Sequence, residues 1–231
     1  MLFDLRGAGR RRTVKFVYLG LALIMFVGFV GFSIGSSGIS GGIIDAITQG
    51  GGGGSDSSTS RFQKQVQRAQ AETRRNAEDP AAWAALAQAR IRLAGVGGNF
   101  DSGSNNYTAG GKRELQAAST AWDRYLALNP KKPDDRLARQ MLQAFVALNK
   151  PAEAVTAQEI VTDSNPTSAT FQQLAVYAYQ AGQTRKGDLA AGKAVQLAPK
   201  ADRKNLKSQL DQFKLKALQA AAQASATPSG R

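Results

Sequence analysis

The side chains that could do chemistry in this 231-residue chain are carboxylates, amines and hydroxyls, because it contains no cysteine and no histidine. This composition excludes a thiolate nucleophile, a disulfide framework, a Cys/His zinc site and the Ser–His–Asp triad. The adjacent carboxylates of Asp134 and Asp135 follow Pro133, where acidic residues favour a helix start. The sequence therefore predicts a protein that is not an enzyme and that needs no cofactor or metal.

Basic residues give the chain a formal charge of +13, with 30 lysines and arginines against 17 acidic residues. Residues 61–231 hold 25 of these basic residues and 14 of the acidic ones, a net +11. Such an excess can gather polyanions, including nucleic acid, wall polymers and anionic lipids. The charges are dispersed and no basic motif is interleaved with aromatic residues, so nucleic acid is not the expected partner.

The N-terminal part of the chain predicts a membrane anchor. Residues 1–15 form a basic segment, and residues 16–34 follow it as 19 uncharged, mostly apolar positions. A helix of that length spans about 28 Å, close to the thickness of a bilayer core. The basic flank predicts a cytoplasmic N-terminus and an extracytoplasmic remainder. A cleaved signal peptide is the alternative, although its apolar region is usually shorter and ends in an A-x-A-like site.

Gly31 and Gly35 have the spacing of a helix-dimer contact, so a homo-oligomer is one further interpretation.

Residues 35–60 are rich in glycine and serine, with five consecutive glycines at 50–54, and predict a flexible linker. A polar lead-in helix is predicted for residues 61–78, with Phe62, Val66 and Ala69 as its apolar stripe.

Prolines recur at a helical-repeat interval in the second half of the chain. Pro130, Pro166 and Pro199 are 36 and then 33 residues apart, and each follows a helix-ending pattern. Each interval divides into two amphipathic helices, with breaks at Lys150-Pro151 and at Gly182.

This pattern resembles the tetratricopeptide repeat (TPR) family. The matching positions in the three units are Trp83, Leu86, Ala87, Ala118, Trp122, Tyr125 and Pro130; Met141, Phe145, Ala154 and Pro166; and Phe171, Leu174, Ala175, Gly182, Ala194 and Pro199. Two positions depart from the pattern: Ala178 replaces the usual tyrosine, and Gly187 replaces the usual alanine. The resemblance implies an all-α fold, a helix-turn-helix TPR superhelix of about three repeats at residues 79–217. A capping helix with the stripe Leu206, Leu210, Phe213 and Ala217 closes the array, and residues 218–231 are predicted to be a disordered tail.

The first unit contains a surplus of 19 residues, which places an insertion loop at residues 95–111. Its aromatic residues Phe100 and Tyr107 either fold back on the repeat or present a recognition element. Asp101, Ser102, Ser104 and Asn105 lack the order of ligands found in calcium loops.

The first helix of each pair lines the ligand groove in the TPR family, and this resemblance implies a set of groove candidates. They are Gln88, Arg92, Arg136, Arg139, Gln140, Gln143, Gln172, Gln173, Val176 and Tyr179. Arginine and glutamine can bond the amides and carboxylates of an extended ligand, although the same residues also suit a solvated helix face. The two-carboxylate clamp known in the family is not reproduced, because Ala84 and Ala169 stand where it has basic residues.

The function predicted from the sequence is that of a single-pass plasma-membrane scaffold that binds protein or peptide segments outside the cytoplasm, in envelope assembly or export. The alternative is a basic helical module that binds polyanions.

Overall fold

The computed structural model of the protein describes residues 54–226 and the side chains of residues 58–223. The predicted basic segment, the membrane span at 16–34 and the linker up to residue 53 lie outside the described residues, as do residues 227–231. Within the described part the fold is all-α, as the sequence predicts. Its helices are α1 (Gly54–Arg75), α2 (Pro80–Ala94), α3 (Ala109–Ala127), α4 (Asp135–Ala147), α5 (Pro151–Ser164), α6 (Ser168–Gln180), α7 (Thr184–Leu197) and α8 (Arg203–Ala226).

Six of these helices form three consecutive pairs, α2–α3, α4–α5 and α6–α7, and each pair contacts the next. Local backbone chemistry sets the breaks between them. Pro80 and Pro151 occupy the first turns of α2 and α5, where the missing N–H costs nothing. Asn129, Asn149 and Gly182 follow α3, α4 and α6 with positive φ angles of 50°, 54° and 71°. These residue types tolerate the left-handed conformation that ends a helix.

Two hydrophobic clusters hold the pairs together. The first is built from α1 to α5, and its largest fully buried side chains are Trp122, Phe145, Leu115 and Met141. The second joins α6, α7 and α8 through Leu174, Ala194, Leu210 and their neighbours. Alanines fill many of the buried positions in both clusters, which lets the helix axes approach closely.

A buried polar contact joins the second pair to the third. The Nε2 atom of Gln158 in α5 donates to the backbone oxygen of Thr170 at 3.1 Å, and Gln158 is fully buried. Thr170 also forms a reciprocal capping box with Thr167 at the start of α6. A buried amide needs such a partner, so this contact fixes where α6 begins relative to α5.

The insertion is an ordered part of the first pair. It contains a 3₁₀ turn (Gly97–Asn99) and a two-stranded antiparallel hairpin, β1 (Phe100–Asp101) and β2 (Asn106–Tyr107). The ring of Tyr107 packs against the first cluster and so folds back on the repeat, whereas Phe100 contacts the Tyr107 ring. Across the insertion, Arg90 of α2 pairs with Glu114 of α3 at 2.6 Å.

Three boundaries differ from the prediction. Helix α1 begins at Gly54 and ends at Arg75, whereas residues 54–60 were predicted to be coil and the lead-in helix to run to 78. Thr59 lies against Gly97 of the insertion, and this tertiary contact accounts for helix in a run of poor helix formers. Helix α8 continues to Ala226, because the predicted tail is rich in alanine, the best helix former.

The predicted stripe of α8 is correct for Leu206 and Leu210 but wrong for Phe213, which is 46% exposed. The ammonium group of Lys214 instead reaches the Asp188 carboxylate of α7 at 2.8 Å. Ala217 packs against the second hydrophobic cluster, as predicted, so the face of α8 that meets the array includes positions 206, 210, 214 and 217.

Candidate peptide-binding face

A small-residue stripe on α2 forms the floor of the candidate site. Ala81, Ala84, Ala85 and Gln88 follow one another at helical spacing and lie on one side of α2. Arg92, one turn further on, continues this stripe and is exposed. Because α2 also contacts α4, the first helices of the first two pairs are neighbours in space.

A cleft of about 540 Å³ opens between this stripe and the connection from α3 to α4. Its other side is formed by Tyr125 of α3, Pro130, Lys131 and Lys132 of the connection, and Leu137 of α4. The alanine side chains leave the floor shallow and apolar, whereas the two lysines place ammonium groups at the rim. Such a surface can accommodate a small apolar side chain beside a carboxylate.

Two helix N-termini border the cleft, and aspartates cap both of them. Asp79 accepts a hydrogen bond from the Ala81 N–H at 2.9 Å. Asp134 accepts from the N–H groups of Arg136 and Leu137 at 2.8 and 3.1 Å. The Tyr125 hydroxyl accepts from the Asp134 N–H at 2.7 Å, so a buried side chain fixes the connection. Burial is the main cause that raises the pKa of Tyr125 above its usual value.

The paired carboxylates of Asp134 and Asp135 have separate structural contacts. Asp134 caps α4, whereas Asp135 pairs with Arg139 one turn along the same helix at 3.2 Å. Each carboxylate is therefore bonded to groups of α4 itself, which agrees with the interpretation of this pair as the start of a helix.

Four basic side chains lie in or near this region in the sequence, and of these Lys131 and Lys132 line the cleft. Lys131, Lys132, Arg92 and Arg136 are exposed, and none of them pairs with a carboxylate in the part of the chain that the structure describes. Arg139 differs from them, because it is half-buried and bonded to Asp135. The two lysines were not among the predicted groove residues, since they lie in a connection that the repeat pattern leaves undefined.

The glutamines predicted on α4 have different environments. Gln143 is exposed, whereas Gln140 is partly buried and its Oε1 atom has no hydrogen-bond partner among the described residues. A buried amide oxygen without a donor is costly, and because this atom is inaccessible, Gln140 does not present it to a ligand on the surface of α4.

On α6, Gln172, Gln173 and Val176 are partly buried, and Val176 packs against the second hydrophobic cluster. Tyr179 is only 5% exposed, and its ring covers Gly187 of α7. Its hydroxyl donates to Asp188 Oδ1 at 2.9 Å, and burial with this bond raises its pKa strongly. Tyr179 thus belongs to the contact between α6 and α7 and lies away from the accessible face.

The hairpin of the insertion is closed by its own contacts. The rings of Phe100 and Tyr107 meet edge to face, with centroids 5.2 Å apart and planes at 73°. Asp101 accepts from the Ser104 hydroxyl at 2.6 Å and from the Gly103 N–H at 2.9 Å. The Ser104 bond is the main cause that holds the pKa of Asp101 below its usual value.

Within residues 54–226 we find neither a cluster of potential metal-ligating side chains nor a helix long and apolar enough to cross a membrane. No protein-family model, curated protein or solved structure matches this chain.

Proposed function

We propose that this chain is a membrane-anchored scaffold of three tetratricopeptide-like repeats that binds segments of partner proteins outside the cytoplasm. The cleft between α2 and the α3–α4 connection is the observation that carries the proposal. It combines an alanine floor, the exposed side chains of Lys131 and Lys132, and a neighbouring stripe with Arg92, which has no acidic partner among the described residues. The phased helix pairs support it further, because helix-pair arrays present extended binding surfaces.

The chemistry of the cleft indicates the kind of segment it binds. An extended chain with a small apolar side chain fits against Ala81, Ala84 and Ala85, where larger side chains of the scaffold would obstruct it. An acidic residue next to that side chain would meet Lys131 or Lys132, and charge-assisted hydrogen bonds of this kind are stronger than neutral ones. The Gln88 amide can bond the backbone of the same segment.

A tryptophan placed in the cleft tests this proposal. Ala85→Trp fills the floor of the cleft, whereas Ala152→Trp adds the same side chain to an exposed position on α5 outside the cleft. Tagged full-length protein is purified from solubilised membranes in both forms, with circular dichroism as the check on folding. We expect Ala152→Trp to recover the partners of the wild type and Ala85→Trp to lose them. Equal recovery by both variants would show that the cleft is not the binding element.

The proposed location is tested independently with a single cysteine. The chain has no cysteine of its own, so Gln143→Cys introduces one exposed thiol into the helical domain. A membrane-impermeant maleimide should label this thiol in intact cells. Labelling that occurs only after the cells are lysed would place the domain in the cytoplasm.

A further inference from the structure

The outward face of α1 carries a stripe of positive charge. Arg61, Lys64, Arg68 and Arg75 are all exposed and are separated by three, four and seven residues. This spacing places the four side chains on one face of the helix, along roughly 21 Å of its length. We call these four residues the basic stripe.

The opposite face of α1 attaches the helix to the rest of the domain. Val66 and Thr73 are buried there, and Phe62 and Ala69 pack against the first hydrophobic cluster. On a helical projection the two faces lie about 140° apart. The packing of α1 therefore directs the basic stripe away from the core.

No carboxylate among the described residues forms an ion pair with the basic stripe. Arg90, Arg139 and Lys214 each have an acidic partner, whereas the basic stripe shares its lack of one with exposed residues such as Lys131 and Arg136 and differs from them in forming a row along one helix face. Glu72, the acidic residue on the same face, is bonded to the Asn76 amide. Like charges at these spacings repel one another along a helix, so the basic stripe does not stabilise the fold of the isolated domain. Only Arg75, in the last turn, is favoured by the helix dipole.

We propose that the basic stripe of α1 binds the headgroups of anionic phospholipids and thereby holds the helical domain against the membrane surface. A row of guanidinium and ammonium groups with no apolar residue larger than Ala71 among them suits a flat surface of phosphates and offers no anchor for an apolar protein groove. The proposal rests on the membrane anchor of the proposed function, which brings α1 close to the bilayer. From residue 34 to Gly54 a coil of about 19 residues would have an r.m.s. reach of roughly 25 Å.

The test uses the full-length protein in vesicles of phosphatidylcholine, alone or mixed with phosphatidylglycerol. A spin label on Gln67→Cys, an exposed position beside the basic stripe, reports its depth through the accessibility of the label to lipid-soluble and water-soluble relaxants. We expect the label to enter the headgroup region only when phosphatidylglycerol is present. Added salt should reverse this contact, because exposed charges are screened.

Charge removal identifies the residues responsible. Replacing Arg61, Lys64, Arg68 and Arg75 by glutamine, one after another, should weaken the contact by roughly fivefold for each residue. The matched control replaces four exposed basic residues elsewhere in the domain for which residues 54–226 likewise provide no acidic partner: Lys112, Arg113, Lys200 and Lys204. This control should leave the contact with phosphatidylglycerol unchanged.

Three results would overturn the proposal: the same label depth with and without phosphatidylglycerol, an equal loss in the control variant, or binding of a DNA duplex by the protein in the same buffer in which phosphatidylglycerol does not draw the label into the headgroup region. A failure of the anchor itself is seen separately, because the protein would then be extracted from neutral vesicles by alkaline carbonate. Melting curves of each variant confirm that the domain remains folded.

Discussion

Replacing Gly187 by alanine tests whether the ring of Tyr179 determines how α6 and α7 meet. A Cβ atom at position 187 would overlap two ring atoms of Tyr179 and lie 3.1 Å from its Cζ atom. The ring cannot easily move aside, because it is buried and its hydroxyl is bonded to Asp188. The Tyr179 ring therefore leaves no room for an alanine Cβ atom at position 187 unless the packing of α6 on α7 shifts.

The size of the effect follows from two opposing contributions. Alanine is more favourable than glycine in a helix interior by about 1 kcal/mol. Overpacking a tight contact costs about 1–3 kcal/mol, and the overlap with two ring atoms places this case at the upper end. We expect Gly187→Ala to lower the free energy of unfolding by about 1–2 kcal/mol net, or about 2–4 °C in melting temperature for each kcal/mol.

Gly192, in the same helix, provides the matched control. A Cβ atom there would meet nothing within 4 Å, so Gly192→Ala should raise the free energy of unfolding by about 1 kcal/mol. Urea unfolding followed by far-UV circular dichroism measures both variants. In a Tyr179→Ala background the overlap is gone, and Gly187→Ala should then stabilise as well. If Gly187→Ala and Gly192→Ala stabilise the wild-type protein equally, the ring does not cover Gly187 and the assignment of Tyr179 to the core is refuted.

Three further predictions concern the same domain. Phe145 is fully buried, so Phe145→Ala should cost about 3–5 kcal/mol in urea unfolding, and a cost below that of an exposed substitution would contradict its place in the core. Gly182 has a φ angle of 71°, so Gly182→Ala should destabilise by about 1–2 kcal/mol, measured in the same way. The hydrogen bond from Lys214 is the main cause that holds the pKa of Asp188 below its usual value. The ionised Asp188 carboxylate therefore stabilises the fold near neutral pH, and this stabilisation is lost as the pH falls below about 4. The drop in melting temperature on acidification should accordingly be smaller in Asp188→Asn than in the wild type.

The helix pairs could be predicted from the sequence because their boundaries depend on local backbone chemistry. Pro151 starts α5 and Gly182 follows α6 regardless of what packs against them. The apolar stripe of α4 likewise places Met141 and Phe145 in the core at the expected spacing. These features explain why the all-α fold was predictable from one sequence.

The features that were not predictable depend on contacts between distant residues. The start of α1 reflects the contact of Thr59 with Gly97, which no propensity can indicate. The burial of Tyr179 depends on the missing side chain of Gly187, eight residues later in α7. Tyr179 and Gly187 thus form one contact, and the two positions at which the sequence departs from the expected tetratricopeptide pattern, 178 and 187, lie beside it and within it. The sequence did contain one signal for this contact. Gly187 stands where the tetratricopeptide pattern has alanine, and it follows the aromatic residue Tyr179 by about two helical turns.

The candidate site was predicted only in part for a related reason. Gln88, Arg92 and Arg136 were predicted as groove residues from their positions in the first helices of the expected repeats, and of these Gln88 lines the cleft. Lys131 and Lys132 lie in the connection after Pro130, whose path is set by the bond between Tyr125 and Asp134. That bond joins residues nine positions apart across a turn, and helical periodicity does not predict it.

The succession of contacts from each helix to the next also determines how the domain is expected to fold. Most helices of the described part meet partners that are close in the chain, and helical proteins with such local contacts fold in microseconds to milliseconds. Folding can begin in one helix pair and spread to its neighbours, as in other stacked arrays. The insertion lengthens the loop between α2 and α3, yet loop-closure entropy grows only with the logarithm of loop length. The hairpin can therefore be accommodated in the first pair with little delay to its assembly.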